Sequence, residues 1–128
     1  MFNIEQIDHV ALTVRDLERS IAWYQDILGL ERRYQETWGN RPVMLCAGTT
    51  CLALFSSAVA TPSPPPDFNH TIGMRHLAFR VNRASFQQAQ AEFRNRGLEF
   101  VFQDHRIAHS IYLHDPDGYE IELTTYEQ

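Results

Sequence analysis

Two histidines sit in near-copies of one phrase, Asp8-His9-Val10-Ala11-Leu12-Thr13-Val14 and Arg75-His76-Leu77-Ala78-Phe79-Arg80-Val81. A third phrase, Tyr119-Glu120-Ile121-Glu122-Leu123, adds carboxylates near the C-terminus. Neutral imidazole and carboxylate together suit Fe, Mn, Zn, Ni or Co. Two histidines and one acid on one side of an ion leave positions open, a set that points first to non-haem Fe(II). One strand histidine alone is usually a hydrogen-bonded structural residue. Two at matching points of a repeat make ligation the better reading.

The elements that must position them follow from periodicity. Residues 4–14 alternate as a strand, with Val10, Leu12 and Val14 on one face and Ile7, His9, Ala11 and Thr13 on the other. Asp16 is placed to cap a helix, with Arg19 and Ser20 on its wet side. Leu17, Ile21, Tyr24 and Leu28 form the apolar stripe of that helix, and Gly29 ends it. Strands are expected near 30–37, 42–47 and 51–57, with Gly48-Thr49-Thr50 turning between the last two.

The second half repeats the plan. A strand is expected over 74–81, and a helix over 84–96 with Phe86, Ala89 and Phe93 inward and Gly97 after it. Strands near 98–103, 109–114 and 119–126 follow, the last two joined by Asp115-Pro116-Asp117-Gly118. His9 precedes Gly29 by 20 residues and His76 precedes Gly97 by 21. The expected fold is α+β: two βαβββ modules, residues 1–58 and 73–128 of a single domain. A proline-rich linker, 59–72, joins them, because three consecutive prolines cannot sit inside a sheet.

Parity then sorts the candidate ligands. The large apolar residues of each first strand must pack on the helix, which leaves His9 and His76 on the opposite face. On the last strand Ile121 and Leu123 pack inward, while Glu120, Glu122, Thr124 and Tyr126 share the other face. His9, His76 and Glu122 can therefore all line the concave side of a curled mixed sheet as metal ligands; Glu120 is the rival acid on the same face, and the phrase Ile121-Glu122-Leu123 favours Glu122.

Composition narrows the alternatives. The 128 residues suffice for one domain with a core. The net charge is −5 and every basic residue is arginine, which excludes a basic nucleic-acid footprint and lysine Schiff-base chemistry. Neither a secretory leader nor a membrane-length apolar run is visible, so a soluble cytoplasmic protein is expected. Cys46 and Cys51 lack metal-type spacing, and in that compartment they are expected as plain buried or half-buried thiols.

These residues carry a resemblance to a known group. His9-Val10-Ala11-Leu12, Asp16-Leu17 with the helix to Leu28-Gly29-Leu30, His76-Leu77-Ala78-Phe79, and Asp115 through Leu123 together resemble the vicinal oxygen chelate superfamily. That superfamily includes glyoxalase I, fosfomycin- and bleomycin-resistance proteins and extradiol ring-cleavage dioxygenases. The resemblance implies paired modules forming a cup around one divalent ion. It also implies a small-molecule substrate that chelates the ion through two oxygens, and commonly a homodimer.

A fourth protein ligand is frequent in this group, and the position matching Glu122 in the first module is Ala53, which cannot bind a metal. Ala53 follows His9 by 44 residues, against 46 from His76 to Glu122. Three-ligand members, the extradiol dioxygenases and fosfomycin enzymes, fit better than glyoxalase I. The run from His105 through Ile111-Tyr112 and Asp115-Pro116 to Gly118 and Glu122 is similar to the extradiol signature, apart from Gln103 at its first position. By that resemblance Tyr112 and His105 are the catalytic candidates. A further acid–base histidine of that family has no counterpart within 43–58, which leaves His70, His105 or His109 to serve.

The leading expectation is an Fe(II)- or Mn(II)-dependent dioxygenase-like oxidoreductase acting on a catechol-type diol, with Trp38, Phe55 and Phe102 as apolar walls. Zn(II), Ni(II) and Co(II) are the other metals the set would accept. The alternatives are a fosfomycin-resistance-like or glyoxalase-like lyase or isomerase, and a non-catalytic drug-binding resistance protein.

Overall fold

A helix start, a left-handed glycine and a parallel strand pair recur in each half of the computed structural model, which describes residues 1–127. Strand β1 (His9–Val14) leads into helix α1 (Leu17–Leu28), where the Asp16 carboxylate accepts the Arg19 amide at 3.1 Å. Gly29, at φ +66°, ends α1 in the left-handed conformation that glycine adopts at least cost. Strands β2 (Glu31–Arg33), β3 (Val43–Ala47) and β4 (Thr50–Ser56) complete the first sheet in the order β1-β4-β3-β2. Strand β1 runs parallel to β4, and the other pairs are antiparallel.

The second half has strands β5 (Leu77–Arg80), β6 (Val101–Asp104), β7 (His109–His114) and β8 (Glu120–Thr125), in the order β5-β8-β7-β6. Its helix, Arg83–Asn95, starts on Asn82, whose side chain accepts the Ser85 amide at 2.8 Å. The chain is α+β with two four-stranded mixed sheets. It divides into two compact units, Met1–Ser63 and Pro64 onward.

Each helix covers one face of its own sheet. Helix α1 packs on β3 and β4, burying Ile21 and Tyr24 with Leu12, Val14, Val43, Leu45, Leu52 and Leu54. The second helix packs on β8 with Phe86 and Phe93 buried, alongside Ile111, Leu113, Ile121 and Leu123. Each such aliphatic or aromatic side chain contributes about 1.5–3 kcal/mol when fully buried. Ser20, expected on the wet side of α1, is instead fully buried.

Several boundaries differ from the sequence expectation. Strand β1 starts at His9 rather than residue 4, because its parallel partner β4 begins only after the Gly48-Thr49 turn. In the same way β5 starts at Leu77, one residue beyond His76, because β8 begins at Glu120. The strand expected over 30–37 stops at Arg33. Tyr34 takes φ +63° and the chain enters a short helix, α2 (Gln35–Trp38), with the Tyr34 and Trp38 rings 5.2 Å apart. The second-half helix is accordingly α3.

Cys46 and Cys51 are not free thiols: they form a disulfide. The β3–β4 turn sets them directly opposite each other, with Cα atoms 4.1 Å apart. Gly48, at φ +57° in the first position of that two-residue turn, supplies the left-handed backbone a tight hairpin requires. The bridge lies on the sheet face away from α1, buried with Met44 and Ala53. Among the described residues, no helix is long and apolar enough to cross a membrane.

Candidate functional site

The second unit gathers a polar lattice on the sheet face away from α3. His76, on the residue just before β5, sits with its Nε2 2.9 Å from Glu122 Oε1. Its Nδ1 lies 3.4 Å from Glu120 Oε1, and the other Glu120 oxygen is 3.8 Å from His114 Nε2. Strand alternation explains the grouping. Glu120 and Glu122 share one face of β8, and Tyr112 and His114 share the matching face of β7, directly opposite them. The Asp115 turn fixes the entry to β8: the buried Asp115 carboxylate accepts the Asp117 and Tyr119 amides, each at 2.9 Å.

Glu122 is 7% exposed, so its charge must be met inside the protein. One oxygen faces His76 and the other accepts the Ser110 hydroxyl at 2.7 Å. Tyr112 packs edge-on against His76, ring centroids 5.7 Å apart. Burial first, then the Glu122 and Glu120 charges, hold the Tyr112 phenol above its ordinary range, so it remains a hydrogen-bond donor at neutral pH.

His105 joins this group from the β6–β7 connection, its Nε2 2.9 Å from the Tyr112 hydroxyl. The turn that aims it is closed by the His105 amide on Ala108 O at 2.8 Å, with Arg106 at φ +73°. An imidazole against a protonated phenol is a proton-transfer pair: either ring tautomer keeps the bond.

His109 and Phe102 lie on the other face. Phe102 pairs with Ile111 in register, and its ring is 6.3 Å from Phe86 of α3 and 5.4 Å from His109. Phe102 thus packs toward the helix rather than walling the polar lattice, and His109 is held on that side. His70 is exposed and paired with Asp67 at 2.9 Å. Of the three histidines left open by the sequence, only His105 meets Tyr112.

His9 belongs to the first unit. Its Nδ1 is 2.8 Å from Asp8 Oδ2, and its side chain is 47% exposed. A carboxylate on Nδ1 favours the tautomer with a lone pair on Nε2, the form that binds metals. By register His9 stands opposite Cys51 as His76 stands opposite Glu120, and Ala53 occupies the Glu122 position. Trp38 and Phe55 also lie in the first unit, both partly exposed, with Phe55 on the Ala53 face.

Among the described residues, no group of three or more His, Cys, Asp or Glu side chains converges as a metal site. The His76–Glu122 pair nevertheless has the donor chemistry of two-thirds of a two-His-one-carboxylate set. Its imidazole nitrogen and carboxylate oxygen are aimed at one another, and the outer carboxylate oxygen is tied back by Ser110. Imidazole nitrogen and carboxylate oxygen are donor types that a divalent ion takes.

The chain belongs to the Glyoxalase/Bleomycin resistance protein/Dioxygenase superfamily, whose family model matches residues 6–123. It is 26% identical over 120 residues to the glutathione transferase FosA of Serratia marcescens, covering 94% of this chain and 80% of that protein. It is 29% identical over 124 residues to the catechol-2,3-dioxygenase of Bacillus subtilis, covering 91% of this chain but 40% of that protein. The fold matches the crystal structure of a glyoxalase/dioxygenase from Nostoc punctiforme at a TM-score of 0.81 and 24% identity, over 96% of this chain and 92% of that one.

Proposed function

We propose that this chain is a divalent-metal-dependent enzyme of the superfamily, with His9, His76 and Glu122 as ligands, acting as a dioxygenase on a small catechol-type diol. The observation that carries the reading is the 2.9 Å bond from His105 Nε2 to the Tyr112 hydroxyl, on the face that holds His76 and Glu122. The assignment of His9 rests on its register position, equivalent to that of His76, and on the Asp8 carboxylate that holds its Nδ1.

When bound, Fe(II) or Mn(II) would hold two vicinal oxygens of the substrate and acidify them. His105 accepts the proton that leaves the substrate hydroxyl, and the Tyr112 phenol donates a hydrogen bond to oxygen at the reacting centre. In the overall reaction both atoms of O2 enter the product, and the carbon–carbon bond beside the diol breaks. A homodimer completes the reading, and sizing chromatography tests it.

Elemental analysis of protein purified without chelators, then O2 uptake with a panel of catechols, tests the proposal. One equivalent of metal in the wild type, its loss in His76→Ala, and O2 consumption with a diol support it. Full metal content in His76→Ala would sink the ligand assignment.

The similarity to FosA over most of both chains favours a second reading, thiol transfer to a small electrophile such as an epoxide. Without lysine, recognition of an anionic substrate would fall to Arg75, Arg80 or Arg106; Arg80 stacks over the Tyr126 ring at 4.2 Å. Glutathione consumption with fosfomycin, in the absence of O2, separates this reading from the first.

A further inference from the structure

We propose that Ser110 is a positioning residue for the Glu122 carboxylate; the inference rests on the metal-binding reading above and adds a residue to it. Ser110 is fully buried, so its hydroxyl is not placed to bind substrate from solvent. It donates to Glu122 Oε2 at 2.7 Å and lies 2.9 Å from the Thr124 hydroxyl. A hydroxyl carries one proton, and the nearer, charged acceptor takes it. The Thr124 proton has two acceptors in reach, the Ser110 oxygen at 2.9 Å and the His109 carbonyl at 3.4 Å, and the nearer takes it, forming a chain from Thr124 through Ser110 to Glu122. Such a chain strengthens each of its bonds.

The consequence is directional. With Oε2 tied to Ser110, only Oε1 is turned toward His76 Nε2. A carboxylate held this way presents one oxygen to a cation without first losing rotamer freedom. Partners of this kind are worth about 10–100-fold in metal affinity where they have been removed from ligand residues.

The first sheet provides an internal control. Its strand order and register are the same, with Ala53 opposite Met44 where Glu122 is opposite Tyr112. Counting one residue back from the start of β3, Pro42 corresponds to Ser110, and Phe55 of β4 to Thr124. The carboxylate, its hydroxyl support and the donor behind that support occur together in one sheet, and all three are apolar in the other. A serine present only to fill space has no reason to follow the acid in this way.

The test is calorimetric titration of the full-length apo-protein with Mn(II), beside urea unfolding of each variant. Ser110→Ala is expected to weaken Kd about 10–100-fold, while Ser110→Thr, which keeps the hydroxyl, restores most of that loss. Ser20→Ala, at an equally buried serine of the first unit, should leave Kd unchanged. If Ser110→Ala does not fold, Thr124→Val replaces it and should weaken Kd by a smaller factor in the same direction. Wild-type Kd in Ser110→Ala overturns the proposal and leaves the metal reading standing. A loss that Ser110→Thr fails to restore assigns the effect to packing and overturns it equally. A wild type that binds no Mn(II) overturns the metal reading and this inference with it.

Discussion

Tyr112 and Met44 hold the same place in two sheets of one strand order: Tyr112 lies opposite Glu122, and Met44 lies opposite Ala53. The same backbone lattice thus carries a proton-bearing phenol beside an acid in the second unit, and a thioether beside a methyl in the first. Cys46–Cys51 likewise occupies the cross-strand position that His114 and Glu120 fill in the second sheet. At these matched positions the second sheet is polar and the first is apolar.

Ala53→Glu should therefore not create a fourth metal ligand. Its carboxylate would enter a buried cluster of Met44, Cys46 and Cys51, without the hydroxyl that Ser110 gives Glu122. An uncompensated buried charge costs about 3 kcal/mol or more. Urea unfolding should show that loss, and metal stoichiometry should stay at the wild-type value.

Tyr112→Phe removes the phenol that His105 meets and leaves His76 and Glu122 in place. Turnover should fall about 100-fold or more with metal content unchanged. His105→Ala should do the same, and the double variant should be little worse than either, because the pair acts as one unit. The raised pKa of Tyr112 adds an alkaline signature. Its contribution to stability is present below the unfolded value of about 10 and is lost as pH rises through the higher folded value. The unfolding midpoint of Tyr112→Phe should accordingly depend less steeply on alkaline pH than that of the wild type.

Reduction of the Cys46–Cys51 bridge should lower stability modestly. The cysteines are 5 residues apart in sequence, and closing so short a loop is worth about 2 kcal/mol. Urea unfolding of the same protein with and without a dithiol reductant measures the difference. A thiol titration of the denatured, unreduced protein should find no free thiol.

Asp115→Ala strips two amides of their acceptor at the entry to β8. Each unmet, partly buried donor costs about 1–3 kcal/mol. The variant should unfold earlier and bind Mn(II) more weakly, because Glu120 and Glu122 follow directly on the loosened turn. Thermal unfolding and calorimetry check the two effects separately.

The features legible in the sequence were local or periodic. Asp16 and Gly29 bracket α1 because a capping carboxylate and a left-handed glycine act within a few residues of themselves. The parity of His76, Glu122 and Tyr112 was readable because a strand repeats every two residues whatever it pairs with. What escaped depended on partners. Strand starts at His9 and Leu77 are set by where β4 and β8 begin, and the Tyr34 turn by backbone that no alternation signals. The disulfide is legible in the hairpin itself: the Gly48-Thr49 turn puts Cys46 opposite Cys51, a cue that the expected compartment masks. Ser110 shared a face with Tyr112 on parity alone. Only the side-chain bond to Glu122 gives it a role.

The strand orders carry a mechanical consequence. In each sheet the strand bearing or following a histidine, β1 or β5, is a border strand with one neighbour in its own sheet, whereas β8 is paired on both sides. Amide hydrogens along β8, like those of β7, lie between two paired neighbours, whereas β5 and β6 border the sheet and open earlier when it frays. Glu122 thus lies on an interior strand, and His76 directly before a border strand. Ions of different radius would be accommodated on the histidine side, so a change of metal should perturb exchange rates along β5 while leaving β8 quiet.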